Sequence, residues 1–237
     1  MPMRPFASLA LCLCLLTACG PTGNNTPPTG NQDNIPQNGL LEHLSFNAPI
    51  ENLELAAEYN NISAGPDRFG QADQALVFSG DGSFVKLNID INPSRYPNLT
   101  LGAWVRYTGP ADGGIQQVIS HDNGEYDRSL GLDNRSGQWG WSAFAGPDGE
   151  VLGAADVDGG WVFLLASYEH SSGRMRFFVN DQKFESQATH TEGHTTLHLG
   201  ANPSFIEHFK GSIDEVYIYE RAFSDAEAQQ LYMSTRP

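Results

Sequence analysis

The sequence predicts an all-β fold, two antiparallel sheets stacked as a sandwich, with one short helix at the C-terminal end. Three observations carry this. Apolar and polar residues alternate over short runs that glycine, proline, asparagine and aspartate interrupt at regular spacing. Glycine (25) and proline (14) are plentiful, aromatic residues are numerous, and no long run keeps the helical period. Residues 209–232, FKGSIDEVYIYERAFSDAEAQQLY, read as one strand followed by one capped helix.

In order, Leu40–Phe46 is the first strand, with Leu44 and Phe46 on one face and Leu41, His43 and Ser45 on the other. Ala75–Ser79 and Ser83–Leu87 flank Gly80-Asp81-Gly82, whose Asp-Gly pair supplies the positive φ angles of a hairpin. Leu99, Leu101, Ala103 and Val105 alternate with Thr100, Gly102, Trp104 and Arg106, the pattern of a long strand buried on at least one face. Shorter strands follow at Ile115–Ser120, Ser129–Leu132, Gln138–Phe144, Trp161–Tyr168, Met175–Asn180 and Thr195–Leu199, separated by turns such as Asp133-Asn134 and Asn180-Asp181. Gly211 marks the turn into the last strand. There Ser212, Asp214, Val216 and Ile218 share one face, and Ile213, Glu215, Tyr217 and Tyr219 the other. The helix opens at Ser224, whose hydroxyl caps the free N–H groups while Glu227 reaches back as a capping box; Phe223 packs on Ala228.

The run from Phe209 to Ser224, with its glycine, Ile-Asp-Glu strand and Arg-Ala-aromatic-Ser turn, resembles the C-terminal signature of bacterial laminin-G-like (LamG) jelly-roll domains of the concanavalin A-like class. Two further stretches resemble the same family: GPDRFGQADQALVFSGDGSFVKL at 65–87 and WVFLLASYEHSSGRMRFFVND at 161–181. The resemblance implies a jelly-roll sandwich over residues 39–237. It also implies a non-catalytic role, binding a carbohydrate or an extracellular protein, with a structural envelope module built around a protein partner as the alternative.

The chain carries 28 acidic against 13 Lys and Arg residues, a formal charge of −15, which disfavours nucleic acid and anionic membrane surfaces as partners. Residues 1–18 hold Arg4 and then an apolar run, Phe6–Leu16, too short to span a bilayer as a stable helix: the pattern of a secretory signal peptide. The cysteines Cys12, Cys14 and Cys19 all precede residue 20, so the folded part contains neither a disulfide nor a cysteine-ligated zinc site. Leu16-Thr17-Ala18-Cys19 resembles the bacterial lipobox. That resemblance implies acylation of Cys19, anchoring in the cell envelope and, with Gly20 next, an outer-membrane destination. Residues 19–38 are mostly Gly, Pro, Asn, Thr and Gln, the composition of a disordered tether.

Several concanavalin A-like sandwiches are glycosidases with two glutamates on one strand face. Here Ser212 and Tyr217 stand where those glutamates would be, and alternation sends Asp214 and Glu215 to opposite faces, so the glycosidase reading is the lesser alternative. His190, His194 and His198 recur every four residues without the helix that a zinc motif needs and read as turn and strand-face residues. The resemblance makes a structural Ca2+ an open expectation, with Asp214 and Asn47 as candidate ligands, although residues 51–61 lack the family's Asp-Gly-rich run. Trp139 is the candidate sugar-stacking tryptophan. His121, Asp122 and Tyr126, in the acidic loop 121–128, are candidate ligand-binding residues.

Overall fold

A computed structural model describes residues 35–146, 152–155 and 157–237. The signal-peptide segment, Cys19 and the tether up to residue 34 lie outside the described residues.

The strands are β1 (Leu40–Leu44), β2 (Ala56–Asn60), β3 (Ile62–Gly65), β4 (Ala75–Ser79), β5 (Phe84–Leu87), β6 (Asn98–Tyr107), β7 (Gln116–Ser120) and β8 (Ser129–Asp133). They continue with β9 (Gly140–Phe144), β10 (Leu152–Ala155), β11 (Trp161–Glu169), β12 (Arg174–Val179), β13 (Gln182–Gln187), β14 (Leu197–Leu199) and β15 (Lys210–Tyr219), and the helix α1 spans Asp225–Thr235. One sheet runs β13-β12-β11-β6-β15-β4-β3, with β1 also paired to β15; the other runs β10-β9-β8-β7-β14-β5-β2. All the named strand pairs are antiparallel. This is the expected two-sheet jelly-roll sandwich with its single short helix. No helix among the described residues is long and apolar enough to cross a membrane.

β6 shows why the first sheet sits between two apolar layers. Leu99, Leu101, Ala103 and Val105 point into the core between the sheets, whereas Trp104 joins a second cluster with Phe163, Tyr217, Tyr219, Phe223 and Leu231. α1 covers that outer cluster. Its start is the expected capping box, with the Ser224 hydroxyl accepting from the Glu227 N–H (3.4 Å) and the Ser224 N–H donating to the Glu227 carboxylate (2.8 Å). Ile35, inside the segment expected as tether, is buried in the same layer, so the folded part reaches back at least that far.

β15 departs from simple alternation. The register passes from Asp214 opposite Trp104 to Val216 opposite Ala103, leaving Glu215 as a bulge with φ 53°. The bulge falls where the flanking partner changes: β4 pairs with β15 up to Ile213 and β1 from Val216 onward. Beyond it the faces exchange, so Ile213, Val216 and Ile218 share the central core while Tyr217 and Tyr219 lie under α1. The expected grouping of Ile213 with the two tyrosines is thereby corrected. Gly211 is inside this strand and makes no turn; a Cβ there would lie 2.1 Å from the Arg106 carbonyl oxygen, so only glycine lets the two strands pair.

Four strands have no counterpart among the sequence expectations. β2, β3 and β13 are mostly exposed and lack an apolar alternation, and β10 has only its backbone described.

Candidate functional site

The bulge brings Asp214 and Glu215 onto one cation, where strand alternation had sent them apart. Arg68, from the turn before β4, donates from Nη1 to the Asp214 carboxylate at 2.6 Å, and its Nη2 is 3.1 Å from Glu215. Its backbone N–H also donates to Asp214, and its Nε donates to the Thr235 carbonyl at the end of α1 (2.7 Å). Tyr217 donates its hydroxyl to Glu215, and His43, stacked on the Tyr217 ring, lies 3.6 Å from the same carboxylate. One guanidinium thus serves two buried carboxylates. Burial, reinforced by the charge of Glu215, pushes the Asp214 carboxyl up to about 7 against the pull of Arg68. For Glu215, burial is outweighed by His43, Arg68 and Tyr217, which hold its pKa below the usual carboxylate value.

This cluster decides the fit of a calcium ion. The Asp214 oxygen facing the turn accepts from the Arg68 side chain and backbone, where a hard cation would need six to eight free oxygens. Asn47 is exposed, after β1, and makes no bond to the cluster. Among the described residues no three His, Cys, Asp or Glu side chains are grouped to hold a metal. The residues present do not fit a calcium site at Asp214 and Asn47.

The other candidates are placed as follows. Trp139 is half-buried, packs edge-on against Tyr107 and donates its indole N–H to the Gly114 carbonyl (2.9 Å). His121 is buried, with burial lowering its pKa to about 4, and its Nδ1 is 3.2 Å from the His194 carbonyl. Asp122 is buried and accepts from the Gly124 and Asp127 N–H groups and the Asn202 amide. Tyr126 is exposed, under the guanidinium of Arg135. Both ends of loop 121–128 are thus built inward while its tip is exposed, and Arg128, fully buried, closes it by donating to the carbonyls of Ile91, Tyr96 and Pro97. His190, expected at an exposed turn, is instead buried with its ring edge-on to Tyr168, at a backbone φ of 55°.

An open concavity lies elsewhere. β2 and β3 are the outermost strands of the two sheets on one side, and a cleft of about 570 Å3 opens there, between β3, the turn before β4 and the segment that follows β1. Phe46, Ile50, Ile62, Ala75 and Leu76 supply an apolar floor. Asn47, Glu51, Tyr59, Ser63, Asp73 and Gln74 surround it with hydrogen-bonding groups and one exposed aromatic ring. Phe46 and Asp73 hold left-handed backbones (φ 53° and 59°), each at a cost on the order of 1–3 kcal/mol that the surrounding packing must offset. The volume falls in the range of small-ligand pockets. Of the sequence candidates only Asn47 lines it. Glu51, Tyr59, Ile62, Ser63 and Ala64 sit in the stretch 51–64, which has no strong pattern of its own, and Ala72, Asp73 and Gln74 in the turn before β4.

Three solved structures show the fold. The botulinum neurotoxin serotype D binding domain is 14% identical over 82% of this chain and 51% of its own, with a TM-score of 0.60. Trypanosoma rangeli sialidase in complex with the inhibitor DANA is 17% identical over 84% of this chain and 33% of its own, with a TM-score of 0.57. Domain 4 of AbnA, a GH43 extracellular arabinanase from Geobacillus stearothermophilus in complex with arabinotriose, is 18% identical over 81% of this chain and 98% of its own, with a TM-score of 0.54. The chain thus spans about half of the neurotoxin domain and a third of the sialidase. No curated protein matches it. The Laminin_G_3 family profile matches residues 70–229, well over half of the sequence, and the chain belongs to this family of the concanavalin A-like lectin/glucanases superfamily.

Proposed function

We propose that this chain is a non-catalytic carbohydrate-binding domain, held at a bacterial cell envelope by acylation of Cys19, in the outer membrane. The observation that carries the binding role is the cleft beside β3, where an apolar floor and the exposed Tyr59 ring are bordered by hydrogen-bonding side chains. That combination suits a sugar, whose ring presents C–H faces to an aromatic and hydroxyls to the rim. The arabinanase domain in complex with arabinotriose supports the same ligand class. A binding rather than hydrolytic role is supported by Asp214 and Glu215, which are both engaged by Arg68 under α1 and line neither wall of the cleft.

Calorimetric titration of an oligosaccharide panel into the full chain tests the reading. Saturable binding that free monosaccharide competes away is expected, and Tyr59→Ala should weaken it about tenfold, since an aromatic stack and its buried area are worth about 1–2 kcal/mol. Binding untouched by both Tyr59→Ala and Asn47→Ala would remove the cleft as the site. For the anchor, metabolic labelling with an alkynyl fatty acid should mark the wild type and leave Cys19→Ala unmarked; equal labelling refutes it.

An envelope protein as partner is the second reading. It is favoured by Phe205 and Ile206, 50% and 93% exposed on the loop after β14. Serine at both positions should abolish a complex recovered from envelope extract and leave sugar titrations unchanged.

A further inference from the structure

The cleft has a neighbour. A second concavity of about 150 Å3 lies on the other side of residues 46–50, and Phe46, Asn47, Ala48, Pro49 and Ile50 line both. The segment is therefore a ridge between two hollows. Asn47, Ala48 and Pro49 are exposed along it, and two of the three are small or compact. A ligand longer than one ring can cross there without displacing a large side chain. Beyond the ridge the smaller hollow repeats the chemistry of the larger, with Leu44 and Leu53 as apolar surface and Ser45 and Asn52 as polar groups. Asn47 lines both hollows and offers amide donor and acceptor atoms at the crossing point.

Charge around the ridge has one sign. Glu51 and Asp73 are exposed at the larger hollow, and no Lys or Arg lines either one. The one basic side chain within reach, His43 in the smaller hollow, already faces Glu215 at 3.6 Å. Glu54 and Glu58, also exposed, flank the same stretch of chain, and the whole molecule carries −15. An anionic sugar would approach through a repulsive field and find no partner for its charge. A neutral sugar would find two carboxylates ready to accept from its hydroxyls, the stronger kind of hydrogen bond.

Resting on the carbohydrate-binding reading, we infer that the site takes an uncharged linear oligosaccharide laid across the 46–50 ridge, and that Glu51 and Asp73 exclude acidic sugars. The ligand class is thus set by the rim and its length by the ridge.

The test is a titration of the full chain with neutral arabino-, gluco- and manno-oligosaccharides of increasing length, beside oligogalacturonates and sialyllactose. Affinity should rise from the monosaccharide to the tetrasaccharide in a neutral series. The best acidic ligand should bind at least about tenfold more weakly at low salt, and the gap should shrink near 1 M salt, where the Debye length is about 3 Å. The double variant Glu51→Gln, Asp73→Asn should narrow the ratio between neutral and acidic ligands. Pro49→Trp, which raises the ridge, should remove the gain with length. Acidic ligands binding as tightly as neutral ones, or affinity independent of length, would overturn this inference and leave the sugar-binding reading standing. No binding by any oligosaccharide overturns both.

Discussion

Replacing Arg68 by alanine takes the guanidinium from a buried cluster that holds two carboxylates. Their side chains are 2% and 8% exposed, and the guanidinium also binds the last carbonyl of α1. Breaking a buried ion pair by removing one partner typically costs about 3–5 kcal/mol, because the other charge is left uncompensated. Loss of the bond to Thr235 adds about 1 kcal/mol. Asp214 offsets part of this: with its pKa already near 7, it takes up a proton once the guanidinium is gone. The expected loss is therefore about 4 kcal/mol at pH 8 and less at pH 6, where that proton is bound more readily. For a domain of this size it corresponds to a Tm lower by about 10 °C. Urea denaturation of Arg68→Ala at both pH values, in the wild type and in an Asp214→Asn, Glu215→Gln background, measures it. In that background the cost of Arg68→Ala should fall by at least about 1 kcal/mol, the signature of directly coupled residues. A loss under about 1 kcal/mol, or an equal loss in both backgrounds, would refute the charge argument and leave Arg68 as a packing residue.

Three further outcomes follow from the structure. His121, His190 and His198 each have a pKa lowered from 6.5 to about 4, chiefly by burial, so the unfolded chain gains three protons between those values that the native state refuses. Asp214, raised from 3.8 to about 7, works in the opposite sense, and His198 is only partly buried, so these four groups together should cost on the order of 1–2 kcal/mol of stability per pH unit as the pH falls from 6.5 toward 5; a Tm that stays flat or rises over that range would contradict this. Ser224→Ala removes the hydroxyl half of the capping box from α1, leaving the backbone N–H bond to Glu227, and should destabilise by about 0.5–2 kcal/mol in urea melts; no measurable change would mean that the hydroxyl contributes nothing to holding the helix start. The Tm in millimolar Ca2+ and in chelator should agree within about 1 °C, because a native-state ligand raises it by mass action and Arg68 already fills the candidate position; a rise of several degrees with calcium would reveal a site that these residues do not describe.

The parts of the fold that could be read from the sequence are those written in local chemistry. β6 alternates over eight residues, and Ser224 with Glu227 marks the helix start within one turn, whereas the Gly80-Asp81-Gly82 turn, expected to close a hairpin, instead carries the chain from β4 in one sheet to β5 in the other. Glu215 could not be read as a bulge, because the cause lies outside β15, in two strands that divide one of its edges. Arg68 stands in a turn whose local pattern was recognisable, but its partners are 146 and 167 residues away. The cleft was hidden for another reason. Tyr59, Ser63 and Asp73 lie in stretches with no periodicity, and only the end of the first strand at Phe46 and Asn47 hinted that something begins there.

The reach of Arg68 also sets an order of events. Turn 66–71 leaves the ribosome long before Asp214 and Thr235, which follow Arg68 by 146 and 167 residues, so the cluster cannot close until β15 and α1 have been made. Until then, the nascent chain holds an unmatched guanidinium near the site of a missing central strand, and the first sheet stays split. Maturation is thus bound to be late and slow, as expected where non-local pairings dominate. A chain interrupted before β15 would present a hydrophobic seam to chaperones and proteases rather than a smaller working domain.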